Sequence, residues 1–214
     1  MNINEYIDHT NLKQTSTYLD IEKLCKEAIE YNFKSVCVCP YYIKYAKELL
    51  KGSNVKVCSV IGFPNGYSTK EVKIYEAKNA IMNEADEIDM VININALKNK
   101  DYSYVKDEIS KIKEETKNHI LKVIIETCFL NEEEIIEMTK ICSELCVDFI
   151  KTSTGFASRG ASLEDIDIIN KYKSEDLQIK ASGGIKTKEY ALKYINNGVS
   201  RLGTSNGISI MKGE

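Results

Sequence analysis

The chain has 214 residues, of which 43% are hydrophobic and 29% charged, and its formal net charge is −3, as in an ordinary soluble globular protein. No cluster of basic residues stands apart from acidic ones, so nucleic acid is not an expected partner. No apolar run reaches membrane-spanning length and the N-terminal residues do not read as a signal peptide, so we expect no membrane partner and a cytoplasmic location.

Helical and strand patterns alternate from the start of the chain. A short strand is expected near "YIDHT", and the following helix is indicated by apolar residues at helical spacing, namely Ile21, Leu24, Cys25 and Ala28. Asn32 can end that helix. The segment "KSVCVCP" then predicts a buried strand, "YYIKYAKELLKG" a helix stopped at Gly52, and "VKVCSVIGFP" the next strand.

The middle of the chain repeats the alternation. Ser68 and Glu71 have capping-box spacing and predict the start of a helix before the strand "DEIDMVIN". A helix with an apolar face precedes the strand "LKVIIET". Asn131 and Glu134 predict the cap of the next helix, which leads to the strand "VDFIKTST".

The last third contains two more units. Ser162 is expected to open a helix that precedes the strand "LQIKASGG". A further helix closed by Gly198 leads to the last strand, "VSRLGTS".

Eight strands, each followed by helical sequence, define the predicted fold. Strands rich in Val, Ile and Cys on both faces are typical of a parallel sheet covered by helices. The sequence therefore predicts an α/β protein, a single-domain (β/α)8 TIM barrel over residues 1–214, with no internal domain boundary. An open doubly wound sheet is the alternative, but no GxGxxG follows an early strand, which argues against its dinucleotide-binding form.

Seven cysteines are present, and their odd number without a secretory signal predicts free thiols in a reducing compartment. Most lie in apolar patterns and are expected to be small buried hydrophobes, while Cys37 lies near the end of its strand. There is no Cys-x-x-Cys pair, and only His9 and His119 could add imidazole, so we expect no metal site.

Polar residues collect at the predicted carboxyl ends of the strands, where TIM barrels place their catalytic residues. They are Asp8, Cys37, Asp89, Asn93, Glu126, Lys151 and Lys180. Lys151 shares a strand face with the apolar Val147 and Phe149, and the simplest interpretation is a lysine whose stem packs while its ammonium reaches water. Two lysines and an aspartate in one barrel mouth favour a different interpretation, because burying them unpaired is costly.

Lys151 and Lys180 are expected on adjacent or near-adjacent strands. Like charge and desolvation would disfavour the protonated form, so one of the two can be a neutral amine. A neutral lysine amine forms Schiff bases with carbonyl substrates. Lys151 is therefore the predicted nucleophile, with Asp89 moving protons and Lys180 assisting it.

Glycine-rich turns, "STGF", "SGGI" and "GTSNG", follow three successive late strands. Ordinary turn chemistry is the alternative for any one of them, but together they favour a phosphate held by backbone N–H groups. The residues expected to bind substrate and phosphate are Asp8, Thr152, Gly155, Ser182, Gly183, Gly184, Lys186, Gly203, Thr204 and Ser205. The expected partner is a phosphorylated carbonyl compound, and no cofactor is expected.

The motifs "IDHTNLK", "VCVCP", "VIGFPNG", "EIDMVIN", "KVIIET", "DFIKTSTGF", "KASGGIK" and "RLGTSNG" occur in this order along nearly the whole chain. In content and spacing the chain resembles the deoxyribose-phosphate aldolases of the DeoC type, which are metal-free Schiff-base aldolases. The resemblance implies reversible cleavage of 2-deoxy-D-ribose 5-phosphate to D-glyceraldehyde 3-phosphate and acetaldehyde. It also implies that Lys151 is the Schiff-base lysine, Asp89 the proton-relay aspartate and Lys180 the second lysine.

Three positions depart from the usual pattern of that family. Cys128 and Lys186 stand where glycine and arginine are common, and Asn206 replaces a serine. Two alternatives remain open at this stage: a Schiff-base aldolase or transaldolase for another sugar phosphate, and a sugar-phosphate-binding regulator that has kept the fold. A homodimer or homotetramer is expected.

Overall fold

Eight parallel strands close into a barrel in the computed structural model, which describes residues 2–213. The strands are β1 Ile7–Asn11, β2 Ser35–Val38, β3 Lys56–Ile61, β4 Glu87–Val91, β5 Ile120–Ile124, β6 Phe149–Lys151, β7 Gln178–Ser182 and β8 Arg201–Thr204. Each strand pairs with the next along the chain, and β8 pairs with β1. The closed order confirms the predicted TIM barrel and excludes the open sheet.

Helices follow the strands and surround the barrel. They are α1 Tyr18–Glu30, α2 Ile43–Leu49, α3 Lys70–Met82, α4 Ile94–Lys98, α5 Tyr102–Glu115, α6 Glu132–Glu144, α7 Leu163–Tyr172, α8 Lys188–Asn196 and α9 Gly207–Lys212. Short 3₁₀ turns lie at Ile3–Tyr6, Pro40–Tyr42 and Thr127–Phe129. Among residues 2–213, no helix has the length and apolar character needed to cross a membrane.

The helix ends follow the local chemistry of the sequence, with one exception. Asn131 and Glu134 form the predicted capping box, and Ser162 caps α7. The predicted box at Ser68 is wrong, because α3 begins one residue later with Thr69 as its N-cap and without a side-chain capping hydrogen bond. The first N–H of that helix, on Lys70, instead donates to the Tyr104 hydroxyl at 3.2 Å.

The two faces of the strands differ sharply in composition. Alternate residues of a strand point to opposite faces, so one set packs against the helices and the other fills the barrel. The helix-facing set is apolar and fully buried, as at Val57 on β3 and Ile88 on β4. The set inside the barrel includes buried charged residues such as Asp89 and Lys122. The main apolar core therefore lies between the barrel and its helices.

Candidate active site

Strand register brings the charged residues together inside the barrel. Lys151 on β6 lies beside Lys180 on β7, and Lys180 lies beside Arg201 on β8. On the opposite side, Asp89 on β4 lies beside Lys122 on β5. Because paired residues of neighbouring strands face the same side of a sheet, these five side chains all point into the barrel.

Asp89 lies at the centre of this charged cluster, and its two carboxylate oxygens have different partners. Lys151 Nζ and Lys180 Nζ donate to Oδ2 at 2.8 and 2.7 Å. Lys122 Nζ and the Cys58 thiol donate to Oδ1 at 2.9 and 3.1 Å. Burial alone would raise the pKa of Asp89, but the three ammonium groups outweigh it and hold the pKa well below its usual range. Asp89 is therefore ionised, and one of its oxygens is shared by the amines of Lys151 and Lys180.

Lys180 is more firmly paired than the sequence suggests. Its Nζ contacts Asp8 Oδ2 at 2.5 Å as well as Asp89. Burial would lower the pKa of Lys180, but these two carboxylates outweigh burial and raise it. The expected repulsion between the two lysines is therefore offset by Asp89, which contacts both, and the two carboxylates favour the charged form of Lys180.

Three charged members of the cluster were missed by the sequence reasoning: Lys122, Glu87 and Arg201. Glu87 accepts hydrogen bonds from Lys122 at 2.6 Å and from Arg201 at 2.7 Å. Arg201 also donates from Nε to Asp8 at 2.7 Å. The signal that could have found them is the strand period of two, because Glu87 lies two residues before Asp89 and must share its face.

The described cluster contains four basic side chains and three carboxylates, so it has one positive charge in excess when all are ionised. The carboxylates are Asp8, Glu87 and Asp89, and the basic residues are Lys122, Lys151, Lys180 and Arg201. Lys151 contacts one carboxylate, whereas each of the others contacts two. It is also the only one of the four that lines the cavity above the cluster. Lys151 is therefore the one amine of the charged cluster that a ligand in the cavity can reach.

A cavity of about 640 Å³ opens at the carboxyl end of the barrel. Of the residues expected to bind substrate, eight line it: Gly155, Ser182, Gly183, Gly184, Lys186, Gly203, Thr204 and Ser205. Asp8 and Thr152 do not. Asp8 lies in the charged cluster below, and the Thr152 hydroxyl accepts a hydrogen bond from the Ser182 N–H at 3.2 Å, which ties β6 to β7.

The glycine-rich turns pack closely and leave backbone donors at the cavity. A Cβ on Gly160 would lie 2.1 Å from the Gly183 carbonyl oxygen, so only glycine allows these two turns to meet. Gly184 has a φ of +77° and open space where its Cβ would be. Within residues 2–213, the N–H groups of Gly184 and Ser205 have no protein acceptor, and both residues line the cavity. Such N–H groups can bind an anion.

Glu126 and Asn93 have structural roles. Glu126 is buried in the left-handed region, with a φ of 52°, and its carboxylate accepts the Thr154 N–H at 3.1 Å and also contacts the Thr154 hydroxyl. It therefore shapes the turn that follows Lys151. Asn93 caps α4 through its side chain.

The thiols of Cys37 and Cys58 lie within 4.8 Å of one another and of a carboxylate oxygen of Asp89. The neighbouring Cys58 thiol lowers the pKa of Cys37, which is fully buried. Lys122 Nζ lies 3.4 Å from Cys58 and 2.9 Å from Asp89. A metal ion at these three groups would face an ammonium, so the donor set does not suit one.

Comparison with known proteins decides the family. The sequence profile of the family described as DeoC/LacD family aldolase matches residues 3–212. The chain belongs to this family. It is therefore an aldolase, a carbon–carbon lyase.

Known deoxyribose-phosphate aldolases match this chain over nearly its full length. The deoxyribose-phosphate aldolase of Treponema denticola is 52% identical, with 100% of each chain covered, and that of Thermococcus kodakarensis is 51% identical over 99% of this chain and 96% of the relative. Among solved structures, the tetrameric deoxyribose phosphate aldolase of Aeropyrum pernix superimposes with a TM-score of 0.90 at 28% identity, covering 98% of this chain and 89% of that one.

Proposed function

We propose that this aldolase cleaves 2-deoxy-D-ribose 5-phosphate reversibly to D-glyceraldehyde 3-phosphate and acetaldehyde, through a Schiff base on Lys151. The single observation that carries the proposal is that Lys151 alone, among the four basic residues of the charged cluster, lines the cavity. The full-length relatives with this activity in their names support the choice of substrate over another sugar phosphate or a regulatory role.

The first step is attack of the Lys151 amine on the C1 carbonyl, with loss of water to give an imine. The C3 hydroxyl then gives up its proton as the C2–C3 bond breaks, and the bonding electrons move into the iminium to form an enamine. Glyceraldehyde 3-phosphate leaves with its new aldehyde at the former C3. Protonation of the enamine at C2 and hydrolysis of the imine release acetaldehyde and restore the amine.

Asp89 and Lys180 hold and move protons beneath this amine. Asp89 Oδ2 accepts hydrogen bonds from both lysines, so a proton can pass between them through one carboxylate oxygen. Lys122 and Lys180, which both contact Asp89, supply the positive charge that keeps Asp89 ionised when Lys151 is neutral. No metal or organic cofactor is required by these steps.

The phosphate is proposed to bind at the turns after β7 and β8. The free N–H groups of Gly184 and Ser205 point to an anion site there, and the Lys186 side chain at the same cavity adds a positive charge. A lysine binds phosphate as a point charge, in contrast to the two-pronged contact of arginine. Ser182 and Thr204 line the same wall, and their hydroxyl groups donate to the backbone carbonyls of Ser153 and Ile185, which fixes the two turns.

The proposal is tested by incubating the protein with deoxyribose 5-phosphate after exhaustive EDTA treatment and measuring acetaldehyde enzymatically. We expect one acetaldehyde for each glyceraldehyde 3-phosphate formed, with the same rate before and after EDTA. Cleavage of another sugar phosphate but not of deoxyribose 5-phosphate would indicate a different substrate, and activity that is lost with EDTA and restored by zinc would contradict the Schiff-base mechanism.

We also propose that the chain forms a homo-oligomer, either a dimer or a tetramer, in the cytoplasm. The tetrameric Aeropyrum pernix relative supports association. Light scattering coupled to size-exclusion chromatography tests it. A mass of one chain, 24.3 kDa, at micromolar concentration would contradict it.

A further inference from the structure

A buried pair of charges lies outside the charged cluster, where α3 and α5 meet the barrel. Lys73 on α3 and Glu108 on α5 are both fully buried, and Nζ of the lysine lies 2.7 Å from Oε1 of the glutamate. Among residues 2–213, the other buried lysines are Lys122, Lys151 and Lys180, which all belong to the charged cluster. Lys73 is therefore the one buried lysine of the described chain that the site does not include.

Both side chains also bind the backbone at the carboxyl end of β4. Lys73 Nζ donates to the carbonyl of Val91, the last residue of that strand, at 2.8 Å. The second oxygen of Glu108, Oε2, accepts the Asn93 N–H at 2.9 Å. Val91 lies two residues after Asp89 on the same strand. The pair therefore fixes the end of the strand that carries the central carboxylate of the site.

The turn after β3 packs against the same lysine. Gly62 directly follows β3, and a Cβ at this position would lie 2.7 Å from Cε of Lys73. Glu76, which lies one helical turn after Lys73 on the same face of α3, accepts the Gly62 N–H at 2.7 Å. Because β3 and β4 are neighbours in the barrel, these contacts tie together the two strand ends on this side of the mouth.

Stability alone does not account for a charged pair at this position. Burial lowers the pKa of Lys73 and raises that of Glu108, and in each case it outweighs the attraction of the partner. An apolar pair of similar volume is often equally stable or more so. What the charged pair adds is direction, through hydrogen bonds of 2.7, 2.8 and 2.9 Å. Such precision matters for Asp89, whose Oδ2 is shared by Lys151 and Lys180.

We propose that Lys73 and Glu108 are positioning residues of this aldolase: they fix the end of β4 and, through that strand, hold Asp89 in contact with both lysines of the site. This inference rests on the proposed function, and it adds two residues that lie outside the cavity and do not touch the substrate. The phosphate is proposed to bind on the β7 and β8 side, so the pair should govern proton transfer and leave substrate binding unchanged.

The test variant is the double substitution Lys73→Met with Glu108→Leu. It removes both charges together, so that neither is left buried without a counter-charge. It also removes the side-chain partners of the Val91 carbonyl and the Asn93 N–H. The end of β4 is then released while every residue of the charged cluster is retained.

A matched control is available at the opposite end of the barrel, on the same helix α5. Lys113 Nζ donates to Asp148 Oδ2 at 2.6 Å, and the same oxygen accepts the Leu121 N–H at 2.9 Å. This is also a lysine, a carboxylate and a backbone N–H, but it lies where β5 and β6 begin. The control is the double substitution Lys113→Met with Asp148→Leu.

For each protein, kcat and KM are measured with deoxyribose 5-phosphate, and the active sites are counted by borohydride trapping of acetaldehyde on Lys151. Exchange of the methyl hydrogens of acetaldehyde in deuterium oxide, followed by NMR, gives a second readout of proton transfer that involves no phosphate. Urea unfolding gives the stability of each variant. Counting the sites separates a lower kcat from a smaller folded fraction.

We expect the Lys73→Met, Glu108→Leu variant to lower kcat per active site by about 10-fold to 100-fold, the scale of a small misplacement of a reacting group, with little change in KM. Deuterium exchange should slow by a similar factor. The Lys113→Met, Asp148→Leu control should lose stability and keep its kcat per site. An unchanged kcat per site in the first variant would overturn the inference and leave its charged pair with a structural role only.

A second variant carries the test if the double substitution does not fold. Gly62→Ala displaces the stem of Lys73 and leaves both charges in place, and Gly52→Ala is its control because Gly52 also has a positive φ but has open space around its Cβ position. Only Gly62→Ala should lower kcat per site, and an equal kcat in both would again overturn the inference. A wild-type protein that releases no acetaldehyde from deoxyribose 5-phosphate would instead overturn the proposed function.

Discussion

The inward and outward faces of the same eight strands are stabilised in opposite ways. Ile88 and Asp89 are neighbours on β4 and both are fully buried, yet Ile88 packs in the apolar core and Asp89 contacts three ammonium groups. Apolar burial depends on area and tolerates small changes of shape. A buried charge depends on specific partners, and the loss of one partner leaves the others uncompensated. Function in this barrel is built on the face that tolerates change least.

The largest expected effect separates activity from stability at Lys151. Lys151→Met should reduce aldolase activity to background, because no other amine of the cluster lines the cavity. It should not destabilise the protein in proportion, since three basic residues then face three carboxylates. Steady-state kinetics and thermal unfolding check this, and retained turnover would show that another amine forms the imine.

The next effect is loss of the central carboxylate. Asp89→Asn should destabilise the protein by about 3–5 kcal/mol, because Lys122, Lys151 and Lys180 then share no counter-charge at that point. It should also lower kcat by roughly 10²–10⁴-fold through the lost proton transfer. Urea unfolding and kinetics of the folded fraction measure the two effects.

The dependence of the unfolding free energy on pH in the acid range gives a second test of Asp89. The folded-state pKa of Asp89 is lowered, so its stabilising contribution is complete above the ordinary value of 3.8 and is lost as pH falls below it. The difference in unfolding free energy between wild type and Asp89→Asn should therefore shrink as pH falls below about 4. A difference that stays constant down to pH 2 would mean that Asp89 contributes no charge-dependent stability.

A smaller effect is expected when a glycine with positive φ is replaced by alanine, and it can be compared at the two ends of the barrel. Gly184 and Gly52 have φ values of +77° and +81°, and neither would place a Cβ within 4 Å of another atom. Ala at either site should cost about 1–2 kcal/mol of backbone strain. Only Gly184→Ala should raise KM, and more for deoxyribose 5-phosphate than for unphosphorylated deoxyribose. An equal change for both sugars would mean that the turn has no phosphate role.

The smallest effect is expected on the outward face of β4. Ile88→Val should cost about 0.5–1.5 kcal/mol and leave kcat unchanged, because it removes one methylene from the core that faces the helices. Chemical denaturation and kinetics check it. A large fall in kcat would show that the two faces of the strand are not independent.

Most of the fold follows from the sequence because local signals repeat in every unit. Asn131, Ser162 and the glycines after the helices act through hydrogen bonds or φ values that depend on near neighbours only, so their effects can be read one helix at a time. The start of α3 could not be predicted from near neighbours, because the first N–H of the helix donates to the hydroxyl of Tyr104, which lies on another helix.

The candidate site was predicted in part for a similar reason. The polar residues expected at the strand ends included Lys151, Asp89 and Lys180, and the structure brings these three together, although Asp89 and Lys180 lie in the middle of β4 and β7. Lys122 was missed because a single lysine inside an apolar strand resembles a snorkelling side chain until the barrel register places it beside Asp89. The partners of Lys180 depend on contacts between strands that are far apart in the chain, and these contacts reverse the simple expectation from like charges.

The most direct test of the account is borohydride reduction of the wild-type protein in the presence of acetaldehyde, followed by peptide mass spectrometry. The account predicts a two-carbon adduct on Lys151, with Lys122 and Lys180 unmodified because they lie below the cavity and remain paired with carboxylates. An adduct confined to Lys180, or to any lysine other than Lys151, would contradict the assignment of the nucleophile and the interpretation of the charged cluster built around it.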